Sequence, residues 1–112
     1  MICGFLDPKG NLHSCCRWEH TSKAEKIVRE LKLKGERLDI GEDILLKNGW
    51  ICIRTGDAYK GIRGYDGKVL FITDEQQNFL KENKGNFNEY QLADIEKMLR
   101  DFGKLYKWHK ED

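Results

Sequence analysis

Apolar and polar positions alternate over short stretches at the start of the chain, which is the pattern of β-strands. The segments "ICGFL" and "NLHSC" flank the turn sequence "DPKG". A proline presets the backbone at the second position of a turn, a glycine tolerates unusual dihedral angles, and the side chain of Asp7 can cap the turn. These features predict an N-terminal β-hairpin.

Helical spacing replaces this alternation further along. Residues 22–34 predict a helix, with Ser22 and Glu25 as a capping box and an apolar face of Ala24, Ile27, Val28 and Leu31. Gly35 is expected to end it. Residues 40–48 predict a second, shorter helix, because acidic residues lie in its first turn and "NG" follows it.

The second half of the chain predicts strands and then helices. "WICIR" is a strand pattern, and "DG" at residues 66–67 predicts a tight turn between "IRGY" and "KVLFI". Capping patterns at Thr73–Gln76 and Asn88–Gln91 open two further helices, the last with a stripe of Leu92, Ile95, Leu99, Phe102 and Tyr106. The chain is therefore predicted to be a single α+β domain over residues 1–112. We expect a small, mostly antiparallel sheet packed with about four helices.

Composition narrows the functional class. The 112 residues are 39% hydrophobic and 35% charged, with a formal net charge of +1. This balance disfavours a dedicated nucleic-acid binder, which usually carries a marked basic excess. We see neither a signal-peptide pattern nor an apolar run of membrane-spanning length, so a cytoplasmic protein with reduced cysteines is expected.

The segment "HSCCRWEH" at residues 13–20 concentrates chemistry-bearing side chains. If Phe5 and Leu12 face the core, strand alternation places Cys3, Ser14 and Cys16 on the core face and points His13 and Cys15 the other way, while His20 lies just before the predicted helix. The residues left as a candidate metal site are His13, Cys15 and His20. Cysteine and histidine are the preferred ligands of zinc, although this spacing fits no standard zinc finger.

The same segment also suggests a nucleophile. A thiol beside a histidine and near a helix N-terminus can have a lowered pKa, which predicts Cys15 as nucleophile, His20 as base and Glu19 as the residue that orients the imidazole. The interpretation that we favour is simpler: a strand end that runs into a helix, with no bound cofactor.

Two further surfaces are candidates for binding. The span "RTGDAYKGIRGYDGK" mixes glycines, cations and aromatic rings without a P-loop or dinucleotide pattern, and a loop of this kind can hold a phosphate or a nucleotide-like ligand. Two tryptophans lie outside the apolar stripes and are candidate interface anchors. The predicted contact residues are Arg54, Tyr59, Lys60, Arg63, Tyr65, Trp18 and Trp108.

Three segments, "ICGFLDPKGNLHSC…EH", "GEDILLKNGWICIRTGDAYK" and "ITDEQQNFLKENKGNFNEYQLADIEKMLRDFG", cover most of the chain. In style and order they resemble short proteins from phages and prophages of low-GC Gram-positive bacteria. Proteins of this size include anti-defence inhibitors, among them anti-CRISPR proteins, which act by binding. The resemblance implies a host or defence-system protein as partner, and it implies no catalytic residues.

Our leading hypothesis is a small binding protein that inhibits or sequesters such a partner or a nucleotide-like ligand. One alternative is a cysteine- or zinc-dependent enzyme centred on Cys15 and His20. Another is a weak nucleic-acid-binding module that uses the basic and aromatic stretches.

Overall fold

A computed structural model describes residues 2–55, 61–63 and 72–101, with side chains as far as residue 97. In chain order the strands are β1 (Gly4–Leu6), β2 (Leu12–Ser14), β3 (Ile51–Ile53) and β4 (Ile62–Arg63). The helices are α1 (His20–Leu31), α2 (Gly41–Lys47), α3 (Asp74–Glu82) and α4 (Glu89–Asp101), with short 3₁₀ turns at Arg17–Glu19 and Lys84–Asn86. The strands form one antiparallel sheet in the order β2-β1-β3-β4. The predicted α+β class with a small antiparallel sheet and four helices is confirmed.

The N-terminal hairpin forms where the sequence predicts it. The carboxylate of Asp7 accepts hydrogen bonds from the backbone N–H groups of Lys9 and Asn11, at 3.0 and 2.9 Å. Gly10 has a φ of +83°, and a Cβ at this position would lie 2.8 Å from the carbonyl oxygen of Glu75. The turn therefore needs glycine both for its backbone angle and for its close approach to α3.

The register of this hairpin corrects the predicted faces. Phe5 pairs with His13 and Leu6 pairs with Leu12, and residues directly opposite each other share a face. Phe5 and Leu12 therefore lie on opposite faces, contrary to the expectation, because the loop places one more residue between them than the predicted alternation assumed. As a result Cys3 and Cys15 lie on the same face of the sheet.

Helices cover both faces of the sheet. One face packs against α3 and α4 through a cluster of buried hydrocarbon side chains: Leu6, Ile51, Ile53, Ile62, Ile72, Leu80, Phe87 and Ile95. The other face packs against α1 and α2 through a second cluster: Phe5, Ala24, Ile27, Leu45, Leu46, Trp50 and Cys52. Strand alternation separates the two clusters, because Ile51 and Ile53 point to one face and Cys52 points to the other.

The first helix begins two residues earlier than the sequence predicts. The turn Arg17–Glu19 leads directly into α1 at His20, so Ser22 lies inside the helix and does not cap it. Glu25, the expected partner of Ser22, instead accepts a hydrogen bond from the backbone N–H of Gly41 at 2.9 Å. The helix also ends before Gly35, because Lys32 adopts the left-handed conformation with φ of 51°.

The later helices follow the prediction closely. Thr73 and Gln76 form a complete capping box at the start of α3. At α4 the side chain of Asn88 accepts from the N–H of Gln91 at 2.8 Å, and the Gln91 side chain accepts from the N–H of Asn88 at 3.1 Å. The predicted turn at residues 66–67 and the stripe positions Leu99, Phe102 and Tyr106 lie outside the described residues and side chains.

Candidate metal centre

Two cysteines lie side by side at the open end of the hairpin. Continuing the β1–β2 register beyond Gly4 and Ser14 places Cys3 opposite Cys15, and the N–H of Cys15 donates to the carbonyl of Cys3 at 3.0 Å. Their Sγ atoms are 3.8 Å apart. Cys3 is buried and Cys15 is partly buried, so the pair lies at the edge of the core.

His20, the first residue of α1, covers this pair of thiols. Its side chain is 2% exposed, and its ring packs against Phe5 with 4.3 Å between the ring centroids. The Nδ1 atom lies 3.5 Å from the Sγ of Cys3 and 3.5 Å from the Sγ of Cys15. A 3₁₀ turn after β2 brings the chain back over the sheet, which is why a residue five positions after Cys15 meets it.

The other nitrogen of the same ring faces a second polar group. The Nε2 atom lies 3.1 Å from the Sγ of Cys52 on β3 and 3.0 Å from Oε1 of Glu42 on α2. Glu42 is 4% exposed, and its Oε1 has no hydrogen bond of acceptable geometry among the described residues despite the short distance to His20. Its Oε2 lies 3.6 Å from a guanidinium nitrogen of Arg54.

The three distances among Cys3, Cys15 and His20 match the spacing of ligands on one zinc ion. Zinc lies about 2.3 Å from a thiolate sulfur and about 2.0–2.1 Å from an imidazole nitrogen. At tetrahedral angles these bond lengths put two sulfurs about 3.8 Å apart and a sulfur and a nitrogen about 3.6 Å apart. The observed separations are 3.8, 3.5 and 3.5 Å. These three atoms are therefore spaced as three of the four ligands of a tetrahedral zinc ion would be.

The second group, around Nε2, fits a shared metal less well. Glu42, Cys52 and His20 also bring their ligand atoms within 4.8 Å of one another. Tetrahedral zinc would separate nitrogen from oxygen by about 3.4 Å and nitrogen from sulfur by about 3.6 Å. The observed 3.0 and 3.1 Å are direct contact distances, so this side of the ring resembles the outer partners of a metal-bound histidine.

The electrostatics of the site do not favour a reactive thiolate in the protein alone. Burial, reinforced by the neighbouring Cys3, raises the pKa of the Cys15 thiol to about 12. Burial and the nearby Glu42 carboxylate also raise the pKa of Cys52. The predicted nucleophile needs the opposite shift. For Glu42, contact with His20 lowers the pKa, burial opposes this, and Arg54 adds to the lowering.

The structure brings together only some of the predicted site residues. Cys15 and His20 are in the cluster. His13 instead contacts Asp7, with its Nε2 3.0 Å from the carboxylate oxygen Oδ2. Glu19 is exposed, and within residues 2–55 no hydrogen bond or ion pair joins it to His20. Among the described residues the carboxylate beside the His20 ring is that of Glu42, at 3.0 Å, and not that of Glu19.

The sequence interpretation missed Cys3, Glu42 and Cys52 as members of the cluster. It placed Cys3 on the core face and Cys15 on the other face. The register that pairs the two cysteines depends on the length of the turn, which the sequence alone did not settle. Cys52 lies in a strand of apolar residues, and Glu42 has the usual place of an acidic residue in a first helical turn. The only signal in the sequence was a further cysteine, Cys52, inside a predicted strand, and the sequence does not show that this strand pairs with the one that holds Phe5.

The predicted contact surface is described only in part. Arg54 pairs with Glu42, and Arg63 lies 3.8 Å from the carboxylate of Asp43. Trp18 is 81% exposed, with the Arg17 guanidinium 4.4 Å from the ring centroid. The remaining predicted contact residues, Tyr59, Lys60, Tyr65 and Trp108, lie outside the described residues.

Comparisons of the chain with protein-family models, with curated proteins and with solved structures gave no match. Within the described part of the chain, each helix is too short or too polar to cross a membrane. The function of this chain is therefore inferred from its own geometry.

Proposed function

We propose that this protein binds one zinc ion through the Sγ atoms of Cys3 and Cys15 and the Nδ1 atom of His20. The supporting observation is that all three distances among these atoms agree with tetrahedral zinc coordination. A set of two thiolates and one imidazole suits zinc and disfavours magnesium or calcium, which prefer oxygen ligands.

The position of the three ligands indicates what the metal does for the fold. Cys3 precedes β1, Cys15 follows β2 and His20 begins α1, so one ion would join the hairpin to the first helix. The chain between Cys15 and His20 is a short turn with no buried side chain. The metal therefore supplies the order that packing does not give to this turn.

Native mass spectrometry with added zinc tests this proposal. The wild-type protein is expected to gain the mass of one zinc ion per chain, and Cys3→Ser and Cys15→Ser are expected to lose it. Cys16→Ser is the matched control, because Cys16 is the neighbour of Cys15 but is exposed. Zinc binding that survives both ligand substitutions, or that is equally weakened by Cys16→Ser, would contradict the assignment.

Thiol alkylation gives an independent readout of the same ligands. Metal coordination blocks a thiolate sulfur, so zinc should slow the alkylation of Cys3 and Cys15. The exposed Cys16 should react at the same rate with or without zinc. Equal protection of all four cysteines would indicate general tightening of the fold, and no protection of Cys15 would remove it from the ligand set.

A second candidate function is the inhibition of a host or defence-system protein, and the exposure of Trp18 favours it. This tryptophan lies on the turn between two of the three proposed ligands and is 81% exposed. Exposed tryptophans are frequent anchors of protein interfaces. In this function the metal would hold the turn in the shape that presents the anchor.

Infection of a bacterial host that carries a defence system measures this second function. Expression of the wild-type protein should restore phage growth, and Trp18→Ala should abolish the effect while zinc binding persists. Tyr90→Ala is the control, because Tyr90 is another exposed aromatic residue, 60% exposed, on α4. Equal activity of the two variants would remove Trp18 as the anchor.

A further inference from the structure

The side of the His20 ring that faces away from Cys3 and Cys15 carries a second set of contacts. Its Nε2 lies between a carboxylate and a thiol, and the carboxylate continues to a guanidinium. A histidine that binds a metal through one nitrogen usually donates the hydrogen on its other nitrogen to a carboxylate or carbonyl. That hydrogen bond determines which nitrogen is free to bind the metal.

The geometry points to Glu42 as the positioning residue of this metal centre, which accepts the Nε2–H of His20 and leaves Nδ1 free for the ion. Arg54 holds the carboxylate in place from its other side. This inference rests on the proposed zinc site and assigns its outer partners. The contacts thus run from the His20 ring to Oε1 of Glu42, and from Oε2 of Glu42 to the guanidinium of Arg54.

An unpartnered buried oxygen supports this assignment. Oε1 of Glu42 is shielded from solvent and makes no hydrogen bond of acceptable geometry among the described residues. Leaving a buried polar atom unpaired is costly, so such atoms in folded proteins nearly always have a partner. The nearest donor is Nε2 of His20 at 3.0 Å. The carboxylate is therefore placed to take this hydrogen once the ring is fixed by a metal on Nδ1.

Cys52 is the competing acceptor, at 3.1 Å from the same nitrogen. A thiol sulfur is a weak acceptor, whereas a hydrogen bond to a carboxylate is charge-assisted and about twice as strong as a neutral one. The two neighbours lie at almost equal distance, and of the two only the contact to Cys52 has acceptable hydrogen-bond geometry in the structure. The assignment to Glu42 therefore rests on acceptor strength and requires a small rotation of the ring or the carboxylate. The Nε2–H should therefore go to Glu42, and Cys52 serves mainly to fill space against Phe5 and the helices.

Zinc affinity, measured by competition with a chromophoric chelator, tests the assignment. Glu42→Gln is expected to weaken zinc binding about 10- to 100-fold, which is the usual effect of removing such an outer partner. Asp43→Asn is the matched control, because Asp43 is the next carboxylate on α2 and pairs with Arg63 on the sheet instead. It should leave affinity unchanged. Cys52→Ala should change affinity much less than Glu42→Gln does.

The tautomer of His20 gives a second readout, which would not change if Glu42 served only to stabilise the fold. Nuclear magnetic resonance of the zinc-bound wild type, through the ring nitrogens, should show the proton on Nε2 and the metal on Nδ1. In zinc-bound Glu42→Gln, exchange of the Nε2 proton with water should be faster. If Glu42→Gln fails to fold, Arg54→Gln provides the second variant, since Arg54 is partly exposed and supports Glu42 from outside.

The outcomes separate this inference from the proposed function. If the wild type binds no zinc, the metal site itself is wrong. If the wild type binds zinc and Glu42→Gln binds it equally well, the site stands and Glu42 is not its positioning residue. If Cys52→Ala weakens binding as much as Glu42→Gln, the Nε2 hydrogen belongs to the thiol. If Arg54→Gln binds zinc as tightly as the wild type does, Arg54 does not help to position Glu42.

Discussion

The two faces of the sheet are lined by different kinds of side chain. The face that packs against α3 and α4 is lined by hydrocarbon side chains, and its buried polar residues are glutamines whose amides meet backbone carbonyls. The face that packs against α1 and α2 holds two buried cysteines, a partly buried third, a buried histidine and a buried glutamate. Among the described residues, the buried side-chain polar groups of the first face all have hydrogen-bond partners.

The α1–α2 face differs in this respect. The contacts among Cys3, Cys15 and Nδ1 of His20 are long, at 3.5–3.8 Å, and one carboxylate oxygen of Glu42 has no acceptable hydrogen bond among the described residues. An unsatisfied buried polar group in a folded protein calls for an explanation, and a bound ion is one of the common ones. The difference is the one expected if the first face serves mainly stability and the second holds the proposed metal ion.

Truncation of a side chain in the α3–α4 face should have the largest effect on stability. Leu80→Ala removes a side chain that is 0% exposed, and we expect the free energy of unfolding to fall by about 2–5 kcal/mol. Zinc affinity of the folded variant should stay at the wild-type value, because Leu80 contacts the opposite face of the sheet. Denaturant unfolding and chelator competition measure the two quantities. A large loss of zinc affinity would show that the faces are coupled.

Zinc should stabilise the protein, and mostly on the α1–α2 face. At a free zinc concentration 100 times the dissociation constant, the free energy of unfolding should rise by about 2.7 kcal/mol. Hydrogen exchange should slow most in the turn Arg17–Glu19 and in the first turns of α1, which the ion would join to the hairpin. Amides of α4 should change least. Uniform slowing along the chain would argue against a local role of the metal.

The α3–α4 face could be predicted well from the sequence, because its signals are local. The Thr73–Gln76 and Asn88–Gln91 patterns each involve residues three positions apart, and both caps form. The strand at Ile51–Ile53 was also predicted from its own composition. Where a short stretch determines its own structure, the pattern of the residues is enough.

The cysteine and histidine cluster could not be predicted in the same way, because it depends on contacts between distant parts of the chain. Cys3 meets Cys15 through the register of the hairpin, and Cys52 reaches His20 from 32 positions away. A difference of one residue in the hairpin loop reverses the face of every later side chain. Local spacing therefore identified Cys15 and His20 but chose His13 in place of Cys3.

The buried glutamine of α3 gives a smaller, more local effect. The amide nitrogen of Gln76 donates to the carbonyl oxygens of Gly49 at 2.8 Å and Asp7 at 3.2 Å, and its side-chain oxygen completes the capping box with Thr73. Gln76→Ala removes these side-chain hydrogen bonds from partly buried carbonyl groups and from the N–H of Thr73, and we expect a loss of about 1–3 kcal/mol in the free energy of unfolding. Thermal unfolding measures this loss. Gln77→Ala, a neighbouring buried glutamine with one bond to the Ile72 carbonyl, is the control and should lose less.

The smallest expected effect concerns a surface ion pair beside the α1–α2 face, and it depends on pH. A hydrogen bond from Lys47 at 2.9 Å, with a second from the backbone N–H of Glu36, lowers the pKa of Asp39 below its ordinary value of 3.8. A carboxyl whose pKa is lower in the folded state stabilises the fold above its unfolded pKa, and this contribution is lost as the pH falls through the folded pKa. Asp39→Asn should therefore be slightly less stable than the wild type at pH 7.

This difference should shrink as the pH falls below about 4, since the wild-type carboxyl then becomes protonated as well. Urea unfolding of metal-free protein at pH 7, 5 and 3 measures it without interference from the metal ligands. High salt should also reduce the difference at pH 7, because surface ion pairs are screened. A difference between the two proteins that stays constant down to pH 3 would mean that Asp39 acts through its shape and hydrogen bonding. In that case the charge of Asp39 would contribute nothing measurable to the free energy of unfolding.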